Sequence, residues 1–250
     1  MTDVVLKTVE LTRSFRGFIA VSNVSLEVRR GSVHALIGPN GAGKTTLFNL
    51  LTKFLEPSAG RIFFRGKDVT GETPANIARQ GIVRSFQISS IFEHLSTLEN
   101  VRVALQRRQG TTFHFWRSGD SLRSLDAAAR ALLSAVGLSE YAAMPAGQLS
   151  YGRKRALEFA TTLALEPEVM LLDEPMAGLG REDIVRISAL IRAAAANRTI
   201  VMVEHNLSVV AHLCDTITVL SKGEVLAQGS YSEVSANAAV REAYLGGSGE

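Results

Sequence analysis

The chain has 250 residues, of which 27 are basic and 24 acidic, 46% are hydrophobic and one is a cysteine. This composition excludes general disorder, and a net charge of +3 is too small to indicate a nucleic-acid partner. The longest stretch without Asp, Glu, Lys or Arg spans only 31–43, so no membrane-spanning helix is predicted. The N-terminus lacks an apolar signal core and Cys214 has no partner for an internal disulfide. We therefore expect an intracellular protein.

The predicted elements follow one another in three blocks. In the first block, β-branched and apolar runs predict strands at 4–11, 24–28, 33–37 and 62–64 and helices at 44–51 and after Thr73-Pro74. In the second block, helical spacing predicts two helices. The first carries Leu98, Val101 and Leu105, and the second carries Leu125, Ala129, Leu132, Leu133 and Val136. A loop or insertion at 107–123 separates these two helices.

In the third block, strands and helices alternate again. The strands are predicted at 169–172, 199–203 and 217–220, and the helices at 182–195 and 207–213. This alternation predicts an α/β core with a parallel sheet, into which the helical block is inserted.

The strongest motif is the sequence GPNGAGKTT, which fits the pattern G-x-x-x-x-G-K-[ST]. It follows a predicted strand and precedes a predicted helix, which is the context that phosphate binding requires. The motif predicts a nucleotide site made of Gly38, Pro39, Asn40, Gly41, Ala42, Gly43, Lys44, Thr45 and Thr46. Lys44 is expected to contact the β and γ phosphates and the Thr45 hydroxyl to bind Mg²⁺.

A second apolar strand ends in Asp173 and Glu174. Acidic groups at the end of a buried strand are costly unless they meet a cation. We expect Asp173 to bind Mg²⁺, directly or through water, and Glu174 to act as the general base for the attacking water.

Three further features are weak one by one but informative in their order. Gln87 follows a predicted strand at 82–86, LSYGR occupies 149–153 before a helical run, and His205 follows the strand at 199–203. Together with the phosphate loop and the sequence DEP, they resemble the ATP-binding subunit of an ABC transporter over essentially the whole chain.

The resemblance implies the fold and the assembly. The implied fold is a RecA-like P-loop NTPase core with an N-terminal antiparallel β layer, at 1–87 and 162–250, and an inserted helical subdomain at 88–161. Such subunits pair head-to-tail and bind two ATP molecules at their interface, each between the phosphate loop of one subunit and the signature of the other.

The resemblance also implies roles for single residues. Phe15 is expected to stack on adenine, although a core Phe is the alternative, and Gln87 to sense the Mg²⁺ site and the membrane partner. Glu174 is the implied catalytic carboxylate and His205 the γ-phosphate contact. The residues expected to bind the partner's ATP are Ser150, Tyr151 and Gly152.

Two segments depart from the family pattern. The common signature LSGGQ is replaced by LSYGR, which puts Tyr151 and Arg153 in place of Gly and Gln. Gly180 stands where the family usually carries Asp or Asn. The second departure puts communication across the subunit interface through that loop in question.

The signature, the sequence FEHLSTLENV, the insertion at 107–126 and the terminal REAYLG resemble the larger ATPase of branched-chain amino acid importers. This implies two membrane permeases, a second ATP-binding subunit of the same or a different kind, and a periplasmic solute-binding protein as an indirect partner. It also implies a peripheral position on the cytoplasmic face of the bacterial inner membrane.

Two alternatives stay open at this point, and a third does not fit the motifs. Import of urea or another amide, or export of lipopolysaccharide, keeps the enzyme class and changes the cargo. A soluble ABC ATPase that acts on DNA or ribosomes usually has tandem cassettes or long coiled coils, and no sustained heptads occur here. A P-loop kinase or GTPase does not explain LSYGR, Gln87 and His205.

Overall fold

The computed structural model describes residues 3–85, 91–108 and 125–245. The chain divides into two compact units. The first contains Met1–Ile82, Glu168–Pro175 and Arg192–Glu250, and the second contains Val83–Pro167 and Met176–Ile191. Among the described residues, no helix is long and apolar enough to cross a membrane.

The first unit contains a four-stranded antiparallel sheet with the strand order β2-β1-β4-β5. Its strands are β1 (Val4–Phe15), β2 (Phe18–Arg29), β4 (Ala59–Phe64) and β5 (Lys67–Asp68). In β2 the residues from Val24 to Arg29 alternate between buried and exposed, because one face of the sheet packs on the core. The predicted antiparallel β layer is confirmed.

The second sheet has six strands in the order β10-β9-β3-β8-β7-β6. Its strands are β3 (Val33–Ile37), β6 (Ile82–Arg84), β7 (Val169–Asp173), β8 (Thr199–Val203), β9 (Thr216–Ser221) and β10 (Glu224–Gly229). The pairs β3–β8, β3–β9 and β7–β8 are parallel, and β10 is antiparallel to β9. Every residue of β3 and β8 is buried, which is why these strands read as continuous apolar runs.

The described residues of the first unit form five α-helices. They are α1 (Lys44–Leu51), α2 (Pro74–Gln80), α7 (Leu207–Leu213), α8 (Tyr231–Ala236) and α9 (Ala238–Leu245). The predicted start of α2 is confirmed, because the Thr73 side chain accepts a hydrogen bond from the Asn76 amide and Pro74 occupies the first turn. The apolar side of α1, with Leu47 and Phe48, belongs to the same buried cluster as residues of β1, β2 and β3.

The second unit is mainly helical, as predicted. It contains α3 (Thr97–Arg108), α4 (Asp126–Ala135) and α5 (Tyr151–Ala164), which pack on one another, and most of α6 (Arg181–Ala195). Leu98, Val101 and Leu105 of α3 are buried, in agreement with their predicted helical spacing. The predicted insertion at 107–126 lies mostly outside the described residues.

The register of the parallel strands brings three strand ends to one edge. Leu36 of β3 lies opposite Val203 of β8, and Val203 lies opposite Asp173 of β7. The residues that follow these positions therefore leave the sheet side by side, at the edge where α/β sheets bind their ligands. The phosphate loop, Glu174 and His205 all begin within two residues of this row.

Candidate nucleotide site

The phosphate loop, defined as residues 38–46, turns directly from β3 into α1. Gly38, Gly41 and Gly43 have left-handed φ values of 152°, 77° and 96°. A Cβ at Gly38 would overlap the Leu220 carbonyl oxygen, and one at Gly43 would lie 2.5 Å from the Ala20 carbonyl oxygen. Only glycine fits these two positions, and the resulting loop ends at the N-terminus of α1, where backbone N–H groups favour phosphate.

Lys44 is held against the loop that it follows. Its ammonium nitrogen Nζ donates to the carbonyl oxygens of Gly38, at 2.7 Å, and Pro39, at 2.9 Å. The side chain is buried, and this burial lowers the pKa of Lys44 while the Glu174 carboxylate opposes the shift. The cation therefore lies inside the loop, between the loop carbonyls and an acidic neighbour.

Oxygen groups suited to Mg²⁺ lie at the same sheet edge. Thr45 is exposed on the first turn of α1, and Asp173 is half-buried as the last residue of β7. A hydroxyl and a carboxylate are the hard oxygen ligands that Mg²⁺ takes together with nucleotide phosphates. These residue types fit the predicted metal, although no group of three or more His, Cys, Asp or Glu side chains clusters within 3–85, 91–108 and 125–245.

Glu174 and His205 form a direct pair. The Glu174 carboxylate oxygen Oε1 lies 3.0 Å from the His205 ring nitrogen Nε2, and both side chains are nearly half exposed. The Glu174 backbone N–H also donates to the Val203 carbonyl at 3.0 Å, and Glu174 adopts a left-handed φ of 47°. A non-glycine residue in this region is strained, and such strain concentrates at functional sites.

A residue that sequence reasoning missed holds the histidine in place. Glu204 is 3% exposed, and its carboxylate oxygen Oε2 accepts the backbone N–H groups of His205, at 3.0 Å, and Asn206, at 3.1 Å. Asn206 in turn caps α7 by accepting the Val209 amide. A buried acid at a strand end is the same signal that drew attention to Asp173, and it could have identified Glu204.

Phe15 ends β1 beside a tight turn. Its ring is 39% exposed, so the core alternative is wrong. The Arg13 guanidinium carbon lies 4.6 Å from the ring centroid, and Phe15 pairs across the hairpin with Phe18. An exposed aromatic ring on a rigid hairpin is suited to stacking.

A second unpredicted contact reaches the phosphate loop from the C-terminal helix. Tyr244 of α9 is hydrogen-bonded to the backbone of Gly38. Burial raises the pKa of Tyr244, and this hydrogen bond opposes the shift. The terminal sequence REAYLG thus contributes a side chain to the start of the loop.

The signature segment, defined as residues 149–153, belongs to the second unit. Ser150 is the N-cap of α5, and its side chain makes no capping hydrogen bond. Tyr151 and Gly152 form the first turn of α5, so the helix begins inside the motif and not after it. Gln87 lies outside the described residues.

Comparison with known proteins identifies the family. A family model described as ABC transporter matches residues 21–177, and one described as branched-chain amino acid ATP-binding cassette transporter matches residues 224–250. The chain is 40% identical to the high-affinity branched-chain amino acid transport ATP-binding protein LivG of Salmonella typhimurium. It is 38% identical to the protein BraF of Pseudomonas aeruginosa, which carries the same description. Each alignment covers 98% of this chain and 99% of the relative.

Solved structures agree with this result. The crystal structure of an ATP-binding cassette of an ABC transporter in its ADP conformation matches with a TM-score of 0.85 and 28% identity. That match covers 97% of this chain and 99% of the other. A nucleotide-free cassette matches with a TM-score of 0.84 and 27% identity, over 96% and 98% of the two chains. The predicted fold is confirmed, and the chain belongs to the ABC transporter family as an ATP-binding, ATP-hydrolysing subunit.

Proposed function

We propose that this subunit powers a bacterial importer of branched-chain amino acids. The observation that carries the proposal is the sequence identity of 38–40% between this chain, over nearly its full length, and two ATP-binding proteins of such importers. The match of residues 224–250 to a family of the same description supports it independently, because this region lies beyond the general ABC transporter match.

In this proposal the first unit binds Mg²⁺ and ATP. The phosphate loop surrounds the phosphates with backbone N–H groups, Lys44 exchanges its loop carbonyls for phosphate oxygens, and Phe15 stacks on adenine. The Thr45 hydroxyl and the Asp173 carboxylate would hold Mg²⁺, and the bound ion would neutralise charge on the phosphates. Gln87 remains the predicted sensor of this metal site and of the membrane partner.

Glu174 and His205 carry out the chemistry. Glu174 accepts the proton of a water molecule whose oxygen attacks the γ-phosphorus, and the bond to the bridging oxygen breaks to release ADP and phosphate. His205 donates to the γ-phosphate and, through its 3.0 Å contact, orients the Glu174 carboxylate. The buried Glu204 carboxylate fixes the backbone of His205 by accepting its N–H group.

The second unit acts on the nucleotide of another subunit. Ser150, Tyr151 and Gly152 present a free hydroxyl and the N-terminus of α5, a 14-residue helix, which together favour a phosphate group. Two subunits, identical or different, pair head-to-tail, so neither site is complete alone. Hydrolysis is thereby coupled to closure of the pair.

Two permease subunits and a periplasmic solute-binding protein complete the proposed transporter. The chain lies at the cytoplasmic face of the inner membrane without entering it. Urea or amide import and lipopolysaccharide export remain the second candidates, because the ATPase itself does not contact the cargo.

The test is co-purification with the two permeases, followed by ATPase assays against solute-loaded binding proteins. We expect the binding protein loaded with leucine, isoleucine or valine to stimulate phosphate release. Stimulation only by a urea-loaded binding protein would contradict the proposed cargo. Failure to co-purify with any permease would contradict the transport role.

A further inference from the structure

Tyr151 is the residue by which the signature departs most from the common family pattern, and its hydroxyl is fully engaged. The Tyr151 hydroxyl donates to the Ala177 carbonyl oxygen at 3.1 Å. The Arg155 guanidinium nitrogen Nη2 donates to the same hydroxyl at 3.3 Å. Both partners belong to the second unit.

The direction of these two hydrogen bonds is fixed by chemistry. A guanidinium can only donate, so the Tyr151 oxygen accepts from Arg155 and its single proton goes to Ala177. Arg155 is itself held by the Glu158 carboxylate at 3.0 Å, and the side chains of Arg155 and Glu158 are 11% and 5% exposed. The tyrosine hydroxyl is therefore oriented by a buried ion pair one turn further along α5.

The acceptor lies in the segment that follows the catalytic carboxylate, defined here as residues 176–180. Gly178 in this segment has a left-handed φ of 73°, and a Cβ added there would lie 3.4 Å from two ring carbons and the hydroxyl oxygen of Tyr151. Gly178 thus lies against the tyrosine side chain, and its backbone conformation favours glycine.

A second contact joins the same two elements. A Cβ at Gly152 would overlap the Asp183 carboxylate, which lies in the first turn of α6 directly after segment 176–180. Asp183 is held in turn by Arg186. The first turn of α5 therefore contacts the chain on both sides of Leu179. Tyr151 forms a hydrogen bond with Ala177, and Gly152 lies close to the Asp183 carboxylate.

We propose that Tyr151 is a positioning residue, which fixes segment 176–180 to the signature helix so that the signature and the chain beyond Glu174 move together. This proposal rests on the proposed function, in which the signature contacts the partner's ATP. Gly180 carries no side chain that could transmit a signal across the interface. The hydrogen bond from Tyr151 to Ala177 instead links the signature to this segment within one subunit.

The first arm of the test needs no activity. Hydrogen–deuterium exchange is compared between the full-length chain and its Tyr151→Phe variant, which keeps the ring and removes the hydroxyl. Because Tyr151 is 44% exposed, the variant is expected to fold normally. We expect the amides of 178–180 to exchange about tenfold faster in the variant, with other amides unchanged.

A matched control comes from the neighbouring departure. The Arg153 guanidinium carbon lies 4.2 Å from the centroid of the Tyr141 ring, in the same unit. Tyr141→Phe removes the hydroxyl of the ring that Arg153 covers and leaves the hydrogen bond between Tyr151 and Ala177 in place. It is expected to leave the exchange of 178–180 unchanged.

The second arm measures kcat and KM for ATP. Tyr151→Phe should lower kcat roughly threefold to tenfold, the range that one hydrogen bond corresponds to, and leave KM unchanged because the subunit's own ATP site is intact. Unchanged exchange at 178–180, or faster exchange with unchanged kcat, would overturn the proposal. Absence of ATP hydrolysis in the unmutated chain would instead contradict the proposed function. The exchange measurement would still test whether Tyr151 positions segment 176–180.

Discussion

Single buried residues set the electrostatics of the first unit, and His34 is the clearest case. It is the second residue of β3, is 1% exposed, and places its ring nitrogen Nε2 2.8 Å from the Thr218 hydroxyl. Burial lowers the pKa of His34 from 6.5 to about 4. Between these values the unfolded chain binds a proton that the folded chain does not, so stability is complete above pH 6.5 and is lost as the pH falls toward 4.

We therefore predict that the free energy of unfolding falls by about 2 kcal/mol between pH 7 and about pH 4.5 because of this residue alone. In His34→Gln, which keeps a polar partner for Thr218, that part of the loss should disappear. Urea unfolding followed by circular dichroism at both pH values measures the difference. The exposed His94→Gln variant serves as control, and an equal acid loss in both variants would contradict the assignment.

At the residue scale, motifs name the residues that stay predicted for the site, and sequence reasoning missed residues that only the fold places there. Phe15 was expected beside a nucleotide, and its exposure agrees with that expectation. The roles of Glu204 and Tyr244 were missed, because a buried acid and a tyrosine near the C-terminus have no motif of their own. Their meaning depends on which backbone groups lie near them in the fold.

At the scale of elements, the phosphate loop shows how backbone geometry fixes a binding site. Gly43 is the N-cap of α1 and has a φ of 96°. An added Cβ would both strain this conformation and meet the Ala20 carbonyl oxygen. The loop can keep its shape only while position 43 is glycine.

Gly43→Ala is accordingly predicted to lower the free energy of unfolding by about 1–3 kcal/mol and to weaken ATP binding, since the first amides of α1 must move. Gly71→Ala is the matched control, because nothing lies within 4 Å of a Cβ there. Urea midpoints and the Kd for ATP are compared for both variants. Equal behaviour of the two would show that the loop tolerates a side chain.

The buried parallel strands and α1 were predicted almost residue by residue, because a continuous apolar run and a phosphate-loop motif before a helix leave clear signals. The strands β1 and β2 were predicted too short. Strand β1 extends to Phe15 and strand β2 begins at Phe18. In the turn between them, Arg16 and Gly17 have positive φ values. The register shifts in this hairpin interrupt the alternation on which strand prediction depends.

At the scale of the whole molecule, we propose that each nucleotide site is completed by the signature of a second subunit. Ser150 tests this directly. Ser150→Arg introduces a large cation at the N-cap of α5 and should lower phosphate release by the assembled pair at least about a hundredfold. The Kd of the isolated chain for ATP should not change, because in the proposed pair the signature contacts the ATP of the other subunit.

Ser139→Arg, at an exposed position of the same unit, controls for the added charge. A weaker Kd for ATP in isolated Ser150→Arg would contradict action in trans. Equal loss of phosphate release in both arginine variants would show a general effect of charge on the second unit.

The most direct measurement is the rate of phosphate release from ATP by Glu174→Gln. The amide keeps the shape of the side chain and its contact with His205, but it cannot accept the proton of the attacking water. We predict that turnover falls at least about a hundredfold while ATP still binds and holds two subunits together. Hydrolysis at the rate of the unmutated protein would contradict the role of Glu174 and the account built on it.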